Sequence, residues 1–126
     1  MTIVTAEMLN GVRIACVVLG MLLWALPARA QREDARQQVE FGIEVAQKGL
    51  WKEAVYRWER ATQLDPTYAQ AFNNLAIGYE QLGQMDKAQA AYDRARALAP
   101  DNIYIRQNLE LFRELNERTA RARQSP

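Results

Sequence analysis

The chain has 126 residues, with 16 Lys plus Arg against 15 Asp plus Glu and no histidine. This length holds one small domain, and the balanced charge offers no field to recruit nucleic acid or an anionic membrane surface. The missing imidazole removes Ser-His catalysis and the usual transition-metal ligand sets, so neither a metal nor another cofactor is expected.

Residues 1–30 differ from everything after them. Residues 14–26 form a 13-residue run without a charge, preceded by Arg13 and followed by Pro27-Ala28-Arg29-Ala30 and the polar Gln31. A positive residue, a short apolar core and a small-x-small site make a secretory signal peptide, cleaved between Ala30 and Gln31. A spanning helix wants about 20 apolar residues, so the run is short for a permanent anchor. Glu7 offsets Arg13, and Arg29, Arg32 and Arg36 follow the run, which opposes export of what comes after. An uncleaved anchor, touching the membrane through residues 12–28, is therefore the second reading and a helix buried in the fold the third. The expected location is extracytoplasmic, periplasmic or secreted, with membrane anchorage as the alternative. Cys16, the one cysteine, sits near the start of the apolar core instead of behind it, where a lipoprotein signal would place it. It reads as a small apolar residue, and a chain beginning at Gln31 would have no disulfide to form.

From Ala35 to Pro100 one pattern occurs twice with an offset of 34 residues. The offset carries Gly49 onto Gly83, Ala54 onto Ala88, Trp58 onto Tyr92, Ala61 onto Ala95 and Pro66 onto Pro100. Upstream it carries Phe41 onto Leu75, Gly42 onto Ala76 and Val45 onto Tyr79. Self-similarity at such a period marks a repeat architecture. Bulky residues at spacings of three and four predict amphipathic helices over 38–45 and 72–79. Gly49 and Gly83 stand where each of these helices stops. A second helix follows each glycine, with alanines that let helix axes approach and an aromatic ring filling the space between them. Pro66 and Pro100 end the second helices, and Asp65 and Asp101 suit the turns and helix starts beside them.

This unit resembles the tetratricopeptide repeat, a 34-residue helix–turn–helix. The first copy occupies the consensus positions with Gln38, Phe41, Gly42, Val45, Ala54, Trp58, Ala61 and Pro66. The second does so with Phe72, Leu75, Ala76, Tyr79, Ala88, Tyr92, Ala95 and Pro100. Gln38 and Val45 depart mildly from the pattern. The resemblance implies an all-α fold, a TPR-type α-solenoid of two helix-turn-helix repeats and a C-terminal capping helix. The domain reads as residues 31–126, with repeat one at 35–68, repeat two at 69–102 and the cap at 103–122.

The cap begins like a third repeat, with Asp101 or Asn102 able to start a helix through Leu109, Phe112 and Leu115. Beyond Leu115 the residues turn polar, as a terminal helix requires: one face packs on repeat two and the other meets water. Arg118, Arg121 and Arg123 read as a solvated surface, because Glu114 and Glu117 stand four residues ahead of the first two.

No catalytic constellation is visible, so the chain is not expected to be an enzyme. Glu40, Glu44, Glu53 and Glu59 sit at helical surface spacings beside Lys or Arg, without the deep pocket an acid/base pair needs. Binding is the alternative. By the resemblance, the concave groove is lined from Ala35 by Arg36, Val39, Glu40, Ile43 and Ala46. From Ala69 it is lined by Gln70, Asn73, Asn74, Ile77 and Glu80, and in the cap by Tyr104, Gln107, Asn108, Leu111 and Glu114. The candidate site for a peptide or partner helix is Arg36, Gln70, Asn73, Asn74, Ile77, Glu80, Tyr104, Gln107, Asn108 and Leu111. Co-chaperones of this family that grip a C-terminal carboxylate need Lys and Asn where Val39 and Ile43 stand, and Lys and Arg where Tyr104 and Asn108 stand. Only Asn74 matches, and a carboxylate without its cations binds poorly, so that clamp is excluded. The amides suit hydrogen bonding to a peptide backbone, while Asn74 and Asn108 serve equally well as structural links between helices. Three repeats are generally needed for stability. Two and a cap predict marginal stability, or area gained by self-association or partner docking, with Tyr68, Tyr104, Leu111 and Phe112 only partly covered.

Overall fold

The computed structural model describes residues 27–124. The chain divides into two compact units, Met1–Glu33 and Asp34–Pro126. In the first unit the apolar run of residues 14–26 lies outside the described residues, and residues 27–33 are helical and exposed. Ala30 and Gln31, the expected cleavage pair, fall within that helical stretch. Among the described residues no helix is long and apolar enough to cross a membrane.

The second unit is all-α. Its helices are α1 (residues 34–47), α2 (Trp51–Leu64), α3 (Ala69–Gln81), α4 (Met85–Leu98) and α5 (Ile103–Gln124). The cap thus extends two residues past the expected 122. The turn after α1 and the turn after α3 are built alike. Gly49 and Gly83 adopt φ of 77° and 73°, the left-handed conformation. The N–H of Gly49 donates to Ala46 O (2.9 Å) and that of Leu50 to Val45 O (3.0 Å). Gly83 and Gln84 repeat this on Glu80 O and Tyr79 O. These are Schellman closures, which satisfy the last carbonyls of each helix. Asn102 caps α5: its Oδ1 accepts from the backbone N–H of Tyr104 (3.0 Å) and Ile105 (3.2 Å).

Consecutive helices pack on one another, α2 on α3, α3 on α4 and α4 on α5. Ala54, Ala61, Ala71, Ala76, Ala88 and Ala95 are wholly buried at the crossings, where only small side chains allow close approach. Trp58 fills the space of repeat one. Its indole N–H donates to Val39 O (3.2 Å). Gly42 and Gly78 face it so closely that an added Cβ would lie 2.4 Å and 3.0 Å from its atoms. In repeat two Tyr92 takes the equivalent place, with its ring centroid 5.4 Å from that of Phe112 in α5. Phe112, expected to be only partly covered, is buried at 2% exposure. The overhanging polar end of α5 is exposed while its Ile105, Leu109 and Phe112 close the stack, so the cap buries repeat two more fully than its amphipathic pattern indicated.

Candidate functional site

Helix α3 has two faces. Ala71, Leu75, Ala76 and Gly78 turn into the stack, and Gln70, Asn73, Asn74, Ile77 and Glu80 occupy the face expected to line a groove. The first half of α5 supplies Tyr104, Gln107, Asn108 and Leu111. From α1 come Arg36, Glu40 and Ile43, all exposed. Val39 does not join them: it is buried at 2% exposure, and its carbonyl holds the Trp58 indole.

The amides divide into two groups. Asn108 Nδ2 donates to Asn73 Oδ1 (3.1 Å), linking α5 to α3, and Asn73 is itself buried. This pair acts between neighbouring helices. Gln70 and Gln107 are exposed, and Asn74 is part-buried with an Nδ2 that has no partner among the described residues. A buried donor without a partner costs about 1–3 kcal/mol, so such groups tend to mark places where something else binds. Asn74 borders a cleft of about 270 Å³ with Gln70, Asn73, Asn102, Tyr104 and Ile105. The cleft wall holds amides, one phenol and one aliphatic residue, with no charged group.

Glu80 is engaged from behind, since the Tyr92 hydroxyl of α4 donates to its Oε2. Burial first, then this hydrogen bond and the carboxylate's charge, pushes the Tyr92 phenol well above its usual range. Tyr79 does the same toward α2, donating to Glu59 Oε1 (2.6 Å) and raised by burial and that bond. These tyrosine–carboxylate links were not evident from the sequence, because Tyr79 and Tyr92 sit at core positions whose rings are needed for packing. The visible signal was that repeat two places tyrosines, Tyr79 and Tyr92, where repeat one has Val45 and Trp58.

The exposed apolar surface of the face is concentrated in α5. Tyr104 is 73% and Leu111 is 56% exposed, and Ile77 adds a part-buried aliphatic from α3. Toward the far end, Phe112, Leu115 and Met85 form the apolar part of a second cleft of about 220 Å³, between Glu80 and Arg123. Among the described residues no group of three His, Cys, Asp or Glu side chains is placed to hold a metal ion.

Stacked antiparallel helix pairs, closed by glycine turns and ended by a capping helix, with a polar and apolar face on the first helix of each pair, define a helical repeat protein of the solenoid class. The pattern described as TPR repeat matches residues 44–83, and that described as tetratricopeptide repeat matches residues 69–102. The chain therefore carries tetratricopeptide repeats, in a TPR-type α-solenoid. The fold is similar to the TPR domain of Arabidopsis OM64 (TM-score 0.65, 20% identity, covering 70% of this chain and 73% of that one). It is also similar to the Sgt2 TPR domain from Aspergillus fumigatus (TM-score 0.67, 19% identity, covering 73% and 62%). In sequence, 83 residues are 31% identical to the mouse protein O-mannosyl-transferase TMTC1, over 66% of this chain and 9% of that protein. The chain thus spans a small fraction of that relative's length, and the mannosyl transfer in its name is not carried over.

Proposed function

We propose that the protein is a non-catalytic interaction scaffold that binds a peptide or partner helix along the face formed by α1, α3 and α5. The observation that carries this reading is the exposed set Gln70, Gln107, Tyr104 and Leu111 beside the unpartnered Asn74 amide. Aromatic and aliphatic anchors supply area, and the amides hydrogen-bond a backbone that lacks its own partners. Asn73 and Asn108 take a supporting part, holding α3 and α5 at the spacing the groove needs. Glu80 stays oriented by Tyr92, and Arg36 contributes a charge at the rim. Photo-crosslinking amino acids at Tyr104 and Leu111 test the reading in the living host. A discrete protein adduct at both positions, lost on Gln70→Ala with Gln107→Ala, is expected. Adducts equal to those from a probe at the exposed back position Glu110 would overturn it.

The scaffold is further proposed to be exported through residues 1–30, with cleavage before Gln31. The apolar run and the Ala-x-Ala ending support this reading. Retention of the run would instead make the protein a membrane-anchored assembly factor. Intact mass of the protein in soluble and membrane fractions separates the two: a soluble species beginning at Gln31 supports export, and a full-length membrane species supports the anchor. With two repeats and a cap, the scaffold gains area by docking or self-association. A monomer in sedimentation that also unfolds at high temperature would remove that part of the proposal.

A further inference from the structure

A second surface lies between α3 and α4, away from the face just described. Phe72, Leu75 and Tyr79 of α3 meet Lys87, Ala90, Ala91 and Arg94 of α4 around an open groove of about 380 Å³. The two helices run antiparallel, so Phe72 stands opposite Arg94 and Tyr79 opposite Lys87. Each cation is held over its ring, Lys87 Nζ at 5.5 Å from the Tyr79 centroid and Arg94 Cζ at 5.8 Å from the Phe72 centroid. Arg94 is further placed by donating to Pro66 O (3.4 Å). Ring stacking fixes these side chains while leaving the charges without a carboxylate among the groove's lining residues. Glu59 accepts from the hydroxyl end of Tyr79, and Asp93, next to Arg94 in the chain, is paired with Arg113.

The first repeat shows what a filled version of this groove contains. The offset of 34 residues carries Glu53 onto Lys87, Tyr56 onto Ala90 and Arg57 onto Ala91. In repeat one Arg57 donates to Glu53 (2.7 Å) and lies over the rings of Phe41 (4.5 Å) and Tyr56 (5.5 Å). Its cation is therefore neutralised and its surface covered by side chains of its own repeat. Repeat two replaces the large Tyr and Arg with two alanines, and the neutralising Glu with a lysine. The result is an apolar floor between two cations seven residues apart on one helix, about 10 Å along its axis.

The geometry points to an acidic amphipathic helix of a partner protein as the occupant. Two carboxylates two turns apart would meet Lys87 and Arg94, and an aliphatic side chain between them would rest on Ala90 and Ala91. The test uses the full chain and a synthetic helical peptide of about five turns, carrying two Glu seven residues apart with Leu between them, and a second peptide with Gln in place of both Glu. Fluorescence anisotropy at low and moderate salt is expected to show binding of the Glu peptide, weaker by about tenfold for the Gln peptide and for Lys87→Glu with Arg94→Glu. Ala90→Tyr, which installs at an exposed position the ring that repeat one carries as Tyr56, is expected to block binding while circular dichroism stays unchanged. Equal affinity of the two peptides, no binding of either, or binding lost with Leu111→Ser but not with the Lys87 and Arg94 changes would overturn the proposal. So would a concentration-dependent dimer abolished by those charge reversals, which assigns the groove to a second copy. Cosedimentation with anionic phosphatidylserine vesicles that the same reversals abolish, without peptide binding, assigns it to a membrane and also overturns it.

Discussion

The indole N–H of Trp58 donates to the carbonyl of Val39 across 3.2 Å, and the ring lies where a Cβ on Gly42 would stand. The absence of a side chain at Gly42 and the hydrogen bond at Val39 together let α2 nest against α1. The neighbouring Gly78 admits the same ring, and Val55, from α3.

Gly42→Ala therefore forces the ring aside in a closed core. Overpacking of this kind costs about 1–3 kcal/mol, which for a domain of this size lowers Tm by several degrees or more, roughly 4–8 °C per kcal/mol. Thermal unfolding by circular dichroism checks it. Gly49→Ala gives a useful contrast: nothing lies within 4 Å of its added Cβ, so any loss comes from the left-handed backbone alone, about 1–2 kcal/mol.

Trp58→Phe keeps much of the ring and removes the donor, while Val39 O, inside α1, keeps its helix bond. A loss of about 0.5–1.5 kcal/mol from the hydrogen bond is expected, smaller than the roughly 3–5 kcal/mol of Trp58→Ala. Urea titration of the three proteins orders them, and an unchanged Trp58→Phe would show that the hydrogen bond contributes nothing net.

The Asn73–Asn108 link allows the structural and binding roles of these amides to be separated. A double-mutant cycle of Asn73→Ala and Asn108→Ala is expected to show coupling of about 0.5–1.5 kcal/mol in stability. Tyr104→Ala and Leu111→Ser, at exposed positions, are expected to shift stability within about 0.5 kcal/mol while weakening capture of a bound partner. Coupling near zero would place Asn73 and Asn108 with the ligand-facing amides instead.

Alkaline pH tests the two tyrosine–carboxylate links. Burial and the bonds to Glu59 and Glu80 raise the phenols of Tyr79 and Tyr92 above their unfolded value of 10.0. Above pH 10 the unfolded chain loses these protons and the folded chain keeps them, so stability present below pH 10 declines as pH rises. Unfolding titrations from pH 9 upward are expected to show this decline, and Tyr92→Phe to reduce its slope. An identical slope in Tyr79→Phe with Tyr92→Phe would assign the decline to other groups.

The repeat period, the helices and their ends were legible in the chain because each depends on local chemistry. Gly49 and Gly83 can adopt positive φ where other residues resist it, and alanines and aromatics recur at positions that a helix places on one stripe. The role of α5 as a cap was legible too, since its apolar residues stop after Leu115. Groove membership was legible only in part. Tyr104, Gln107 and Leu111 are exposed as the register implied, whereas Val39, at the register position equivalent to Gln107, is buried and its carbonyl accepts from the Trp58 indole.

What only the tertiary structure decided are the partnerships between distant residues. The sequence puts Asn74 and Asn108 forward as amides that could link helices, yet the crossing of α3 and α5 pairs Asn108 with Asn73 and leaves the Nδ2 of Asn74 without a partner among the described residues. Likewise Glu80 reads as a groove carboxylate and Glu59 as a surface one until Tyr92 and Tyr79 reach them from neighbouring helices. Periodicity constrains which face a residue occupies, because that follows from the angle between successive residues in one helix. Which polar atom meets which depends on interhelical spacing and rotamer, quantities that arise only once the helices have packed.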